Sequence, residues 1–170
     1  MDVRKEIAKD LAAFLNQLHS LDLNLFTELD ELFPKDTDYK KIFKSQLEDL
    51  DLKNCSEDIK NDIKEYLNKL FFEFEPQKMV LRHGDLSADN FLIDDNCLSG
   101  VIDFSDSLVG DPSLDFSAFD REIASLVYEN YNFKTVDFIE RADFLRKRRF
   151  VFGYLYGNLS VELFKKDFYS

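Results

Sequence analysis

The stretch from His83 to Asp106 constrains this chain more than any other. It reads His83-Gly84-Asp85-Leu86-Ser87-Ala88-Asp89-Asn90, a short apolar run, the pair Asp95-Asn96, a second apolar run, then Ile102-Asp103-Phe104-Ser105-Asp106. Asp85 follows Gly84 at the end of the apolar piece Met79-Val80-Leu81. A carboxylate on a loop there can accept a proton from an attacking hydroxyl. Asn90 lies far enough along for the loop to turn and bring its amide oxygen back. Asp103 ends the strand-like piece Val101-Ile102. Together Asn90 and Asp103 offer two hard oxygen ligands, which suits Mg²⁺ with nucleotide phosphates and water completing its shell. Phe91-Leu92-Ile93 and Leu98 to Phe104, around Asp95-Asn96, predict a β-hairpin. Such a hairpin would bring Asn90 and Asp103 together.

The pattern H-G-D-x4-N followed by I-D-F resembles the catalytic and metal loops of the kinase fold. With Gly84 where protein kinases carry Arg, it looks like the aminoglycoside phosphotransferase family. The continuation Ile102-Asp103-Phe104-Ser105-Asp106 and Gly110-Asp111-Pro112-Ser113-Leu114-Asp115-Phe116 looks most like the 2″-aminoglycoside phosphotransferases. Leu11 to His19 also resembles the helix after the hinge in those enzymes. The resemblance implies transfer of the γ-phosphoryl of GTP or ATP to an aminoglycoside hydroxyl, an antibiotic-resistance reaction. It implies Asp85 as acceptor of the hydroxyl proton, Asn90 and Asp103 as Mg²⁺ ligands, and His83 and Asp111 as braces of the loop. Ser87, Asp89, Asp106, Asp120 and Glu122 are candidates to face nucleotide or substrate. A choline or homoserine kinase would use the same catalytic residues. A non-catalytic module that binds cationic small molecules, or docks a separate N-terminal lobe, is a third reading.

Composition narrows the partners. The net charge of -12 would repel nucleic acid and anionic membrane, whereas a polycationic ligand would be attracted. Hydrophobic residues make up 45% of 170 residues, enough for one folded domain, and 18 Phe with no Trp point to an aromatic core. Cys55 and Cys97 stand far apart without metal-ligand company and read as free thiols, buried or half-buried, of a reducing cytoplasm. The N-terminus carries charge rather than an apolar signal core, and no apolar run approaches the ~20 residues of a membrane span. A cytoplasmic protein is expected.

Val3, Ile7, Leu11, Phe14, Leu15 and Leu18 form one helical stripe over residues 2–20, with Asp2 as cap and His19 as a structural histidine at its end. Residues 21–33 read as a loop or a short helical turn, closed by Pro34. Asp36 is expected to cap a helix carrying Tyr39, Ile42, Phe43, Leu47 and Leu50. Ser56 is expected to cap another, carrying Ile59, Ile63, Tyr66, Leu67, Leu70, Phe71 and Phe74. Residues 79–82 predict a short strand, and Asp111-Pro112 a helix start. Arg121–Tyr131 and Thr135–Leu145, with Thr135 as cap, predict helices. Arg146-Lys147-Arg148-Arg149 reads as a solvated basic face, and Val151–Phe168 as a final helix in which Gly153 and Gly157 allow close packing.

The expected class is mainly α with a small β-hairpin (α+β). It corresponds to the C-terminal lobe of the protein-kinase-like fold, with the N-terminal β lobe absent. One domain is expected over 1–170: helical 1–76, catalytic and metal loops 79–116, C-terminal helices 117–170. Gly84 is the first glycine, so no glycine-rich phosphate loop precedes it. Half the nucleotide clamp would then be missing, and the chain alone would have very weak kinase activity or none.

Overall fold

The computed structural model of the chain describes residues 3–26, 39–157 and 159–169. The expected caps Asp2 and Asp36 lie outside them, as do the side chains of Tyr39 and Ile42. The chain is mostly helical with two small antiparallel sheets, and it divides into two compact units. The first comprises Met1–Lys35 and Pro76–Phe144; the second comprises Asp36–Glu75 and Leu145–Ser170.

The first unit is built on α1 (Val3–His19). Its stripe buries Ala8, Leu11, Ala12, Leu15 and Leu18, while Val3 remains exposed. That face meets Leu86, Phe116, Phe119, Ala124, Val127, Tyr131 and Phe138 in one apolar core. Each large aliphatic side chain removed from water there contributes roughly 1.5–3 kcal/mol. The aromatic-rich core is real: the Phe116 ring meets Phe138 edge-on at 4.8 Å and Tyr131 at 4.8 Å.

Strand β1 (Val80–Arg82) pairs antiparallel with a strand that the sequence reading missed, and the two form a separate small sheet. The segments β2 (Phe91–Asp94) and β3 (Cys97–Val101) form the expected hairpin. Asp95 (φ 45°) and Asn96 (φ 64°) both adopt left-handed backbone, the geometry that a two-residue hairpin turn needs and that Asp and Asn tolerate. Pairing ends at Phe91↔Val101, so the strand stops at Val101 rather than running on to Phe104. Asp10 of α1 accepts a hydrogen bond from Leu98 N at 3.1 Å and fixes the hairpin against the helix. The missed strand is β4 (Leu108–Gly110), only three residues long and too short to show a period. Helix α4 (Ser113–Phe116) follows at the expected Asp111-Pro112 start, then α5 (Arg121–Glu129).

Three expectations are corrected downstream. The next helix, α6, runs from Phe138 to Tyr156, so Thr135 is not its cap. Asp137, at φ 59°, precedes it, and its carbonyl takes Arg141 N at 2.9 Å. Helix α6 also continues through the basic cluster, so Val151–Phe168 is not one helix. The chain breaks after Tyr156 and restarts as α7 (Val161–Phe168), capped by the Ser160 hydroxyl on Leu163 N. The glycines explain the break: Gly157 N and Leu159 N both donate to Gly153 O, and a Cβ on Gly157 would lie 2.8 Å from that oxygen. The pair serves a tight helix end, not packing between helices.

The second unit holds α2 (Tyr39–Leu52), α3 (Glu57–Asn68), the end of α6 and α7. Ile59, Ile63, Tyr66 and Leu67 of α3 are buried as predicted. Ser56 occupies the cap position, but its side chain makes no capping bond. The helix passes into a wider π turn at Lys69–Glu73. The basic cluster is half-buried rather than solvated at three of its four positions. Lys147 lies 5.2 Å from the Phe168 ring centre, and Arg146 lies 5.6 Å from that of Phe150. A cation over an aromatic face is attracted by the ring's electrons, which offsets part of its lost hydration.

Candidate active site

All the residues of the His83–Asp115 stretch belong to the first unit. The loop leaves β1 at His83, where Gly84 takes φ +88°. A Cβ there would sit 2.0 Å from the carbonyl oxygen of Asp106. Glycine is therefore required twice, by its left-handed backbone and by the close approach of the second loop. This is the physical meaning of Gly in the H-G-D pattern.

Asp85 is half-buried. Its Oδ2 accepts from Asn90 Nδ2 at 3.1 Å, and its own carbonyl accepts from the same nitrogen at 2.9 Å. Two acceptors on one nitrogen settle the amide orientation, since the flipped group would set oxygen against oxygen. Asn90 Oδ1 is thereby turned away from Asp85. Among the described residues no donor is bonded to Asp85 Oδ1 or Asn90 Oδ1. The backbone joins the two loops: Ile102 N donates to Asn90 O at 3.0 Å, one residue before Asp103. A second tie is the contact of His83 Nε2 with Ile102 O at 3.0 Å. His83 Nδ1 in turn accepts from Asp85 N at 3.3 Å, which makes Nε2 the donor to Ile102.

Asp103 is exposed and adopts φ 63°, a left-handed backbone that Asp tolerates better than most residues. Its Oδ1 accepts from the Ser105 hydroxyl at 2.7 Å and from Ser105 N at 3.3 Å. These bonds, the hydroxyl first, hold its carboxyl below the usual carboxylate range. Asp103 is thus ionised at neutral pH, with Oδ2 unused among the described residues. The Asp103 carboxylate and the Asn90 amide oxygen, borne on backbone segments that hydrogen-bond to each other, are hard oxygen donors of the kind that a magnesium ion takes alongside phosphate and water. Among the described residues no group of three or more His, Cys, Asp or Glu could hold a metal.

The loop is braced from beneath by a residue to which the sequence reading gave no role. Buried Asp115 accepts from His83 N at 2.9 Å on Oδ2 and from Gly84 N at 3.0 Å on Oδ1. His19 Nε2 lies 3.0 Å from Oδ2. Burial pushes the Asp115 carboxyl up, but the His19 hydrogen bond, the nearby Arg82 charge and the His83 amide hold it below its ordinary value. Ser107 adds a bond from its hydroxyl to His83 O at 3.2 Å. A sequence signal for Asp115 existed. It is an acid between Leu114 and Phe116, and a buried carboxylate requires partners.

Asp111 acts elsewhere. It is buried and accepts from Gln77 N at 2.9 Å, from Arg141 Nη2 at 2.7 Å, and from the amide and hydroxyl of Ser113. It ties the approach to β1 to α6 and starts α4, while direct contact with the catalytic-loop amides belongs to Asp115. Ser87 is half-buried at the start of the Ala88–Asn90 turn, and Asp89 and Asp106 are exposed. Asp120 caps α5 by accepting from Ile123 N at 2.9 Å. Glu122 is exposed and lies 3.6 Å from Arg4. These two acids thus have local structural partners.

Helices around an H-G-D loop, a short hairpin and an I-D-F loop define the C-terminal lobe of the kinase-like phosphotransferase fold. The chain belongs to the phosphotransferase enzyme family (APH), whose model matches residues 1–149. Among solved structures it is similar to the ADP-bound aminoglycoside phosphotransferase APH(2″)-Ib, with 26% identity, a TM-score of 0.66, and coverage of 98% of this chain and 62% of that one. An APH(2″) enzyme in complex with GDP and kanamycin matches with 21% identity and a TM-score of 0.79, covering 98% of this chain and 63% of that one. The macrolide 2′-phosphotransferase MphH from Brachybacterium faecium, at 17% identity, superposes with a TM-score of 0.67 over 92% of this chain and 55% of that one. The chain therefore spans about three-fifths of the length of these relatives. No helix among the described residues is long and apolar enough to cross a membrane.

Proposed function

We propose that this chain carries the catalytic and acceptor-binding lobe of an aminoglycoside phosphotransferase. It would move the γ-phosphoryl of GTP or ATP to a drug hydroxyl in the cytoplasm. The observation that carries this reading is the Asp85–Asn90 bond, which leaves one oxygen on each side chain unbonded among the described residues. Asp85 Oδ1 accepts the proton of the acceptor hydroxyl as that oxygen bonds to the γ-phosphorus. The bond from that phosphorus to the bridging oxygen breaks, and the nucleoside diphosphate leaves. Asn90 holds Oδ2 so that the free oxygen keeps its aim. His83 orients the loop through the Asp85 amide and Ile102 rather than shuttling protons. Asn90 Oδ1 and Asp103 would hold Mg²⁺, which supplies charge neutralisation of the transferring phosphate. Ser87, Asp89 and Asp106 are the polar groups on the two loops that would face nucleotide or drug.

The relatives support the ligand classes: ADP in one, GDP with kanamycin in another. The net charge of -12 supports a polycationic acceptor. Transfer depends mainly on positioning, and the chain spans 62% of the relative APH(2″)-Ib. We therefore expect it, by itself, to transfer phosphate far more slowly than a complete enzyme.

A thermal-shift screen with Mg²⁺ compares kanamycin, gentamicin, choline and homoserine. Stabilisation by a true ligand is about 2.7 kcal/mol at one hundred times its Kd. A shift with the drugs and none with choline or homoserine is expected; the reverse would reassign the acceptor. Nucleotide turnover by this chain at the rate of an ordinary kinase would refute the need for the rest of the clamp.

A further inference from the structure

Beneath the candidate site, two buried titratable side chains take no part in the proposed chemistry. His19 Nδ1 lies 2.6 Å from the Tyr131 hydroxyl, and His19 Nε2 lies 3.0 Å from Asp115 Oδ2. His19 and Tyr131 are 2% and 1% exposed. We propose that Tyr131 is a positioning residue for the catalytic loop: its hydroxyl fixes the tautomer of His19 and, through Asp115, holds the His83 and Gly84 amides in place.

The direction of each bond follows from counting protons. Asp115 takes two backbone amides and stays a carboxylate, so His19 Nε2 must be the donor to it. The buried Tyr131 hydroxyl has one hydrogen-bond partner among the described residues, His19 Nδ1. If Nδ1 carried a proton, the tyrosine proton would be left without an acceptor in an apolar core, at a cost of about 1–3 kcal/mol. Tyr131 therefore donates, and His19 is the neutral imidazole protonated on Nε2. A one-way chain results: Tyr131 O–H to His19, His19 N–H to Asp115, and Asp115 receiving the loop amides. Arg82 also lies near enough for its charge to favour the Asp115 carboxylate.

The placement of Tyr131 is itself built. Asn16, one turn before His19 on α1, donates from Nδ2 to Asn130 O at 3.0 Å and accepts from Asn132 N at 2.8 Å. These bonds clamp the residues on either side of Tyr131 to the same helix that carries His19. A tyrosine that merely filled the core would need no such clamp, and phenylalanine would serve as well. The phenol ring already packs against Phe116 and, at 5.5 Å, Phe138.

The inference rests on the phosphotransferase reading only for the consequence to Asp85, and its test reads hydrogen bonds rather than turnover. Nitrogen-15 spectra of the whole chain should show His19 with a protonated Nε2 and a hydrogen-bonded, unprotonated Nδ1 at neutral pH. In Tyr131→Phe, amide hydrogen exchange at His83 and Gly84 should accelerate about tenfold, the equivalent of one buried hydrogen bond. Amides elsewhere in α1 and α5 should stay unchanged. Wild-type His19 protonated on Nδ1 would overturn the proposal, as would a folded Tyr131→Phe protein whose His83 and Gly84 amides do not change. The wild-type tautomer needs no variant and decides the matter if Tyr131→Phe does not fold.

Discussion

Replacing Asp115 by Asn removes a buried negative charge and turns one acceptor oxygen into a donor. Oδ2 serves His19 Nε2 at 3.0 Å and His83 N at 2.9 Å, while Oδ1 serves Gly84 N alone at 3.0 Å. The amide would keep its oxygen on the two-bond side and set its NH₂ against the Gly84 N–H. One charge-assisted bond, worth about 1.5–3 kcal/mol, is lost outright, and the other two weaken to ordinary ones of about 1 kcal/mol. Relief from burying a carboxylate offsets part of this, for a net loss of about 2–4 kcal/mol. Urea unfolding followed by circular dichroism should show the midpoint falling at constant slope. The melting temperature should fall by roughly 4–16 °C. The sign of the pH effect follows from the depressed carboxyl. The unfolded chain binds this proton more readily than the native one, so the stabilisation is present above the ordinary carboxylate value. It is lost as pH falls from about 4 downward, through the lower folded value. Asp115→Asn should lack that part of the acid-induced loss. A variant with an unchanged urea midpoint and the same acid slope as wild type would refute the bracing role.

Gly84→Ala should disturb the loop more than a helix glycine would. The left-handed backbone alone costs roughly 1–2 kcal/mol, and the new methyl must push the Asp106 carbonyl away; calorimetry and the Asp85 and Asp106 amide resonances read both effects. Asp120→Ala should lose about 1 kcal/mol of α5 capping by chemical denaturation. Glu122→Ala should change stability by less than about 0.5 kcal/mol, because its partner Arg4 is exposed. Asp85→Asn should retain the melting temperature within about 2 °C but abolish any phosphoryl transfer measurable in a complete enzyme; transfer that persists would remove Asp85 from the chemistry.

The readable parts of this protein were those whose signal is local. The stripe of α1, the apolar runs of α3 and the Asp95-Asn96 turn each sit within a few residues of the structure they specify. The H-G-D and I-D-F loops were legible because their polar groups interrupt apolar runs at fixed spacing, and that was enough to point to the family. The parts that failed were decided elsewhere in the chain. Leu108–Gly110 becomes a strand only because Val80–Arg82 lies beside it. Arg146, Lys147 and Arg148 are half-buried, and for Lys147 a ring distant in sequence, Phe168, lies 5.2 Å from its charged end. The bracing of the loop is the clearest case: His19 reaches Asp115 across 96 positions and Tyr131 across 112.

The order of residues by itself set the helical character, the hairpin and the polar groups available for chemistry, because periodicity and turn preference act between near neighbours. Only the tertiary structure decided which acid holds the loop amides and which histidine holds that acid. A hydrogen bond between distant positions leaves no periodic trace, and its strength comes from the dry surroundings that folding creates.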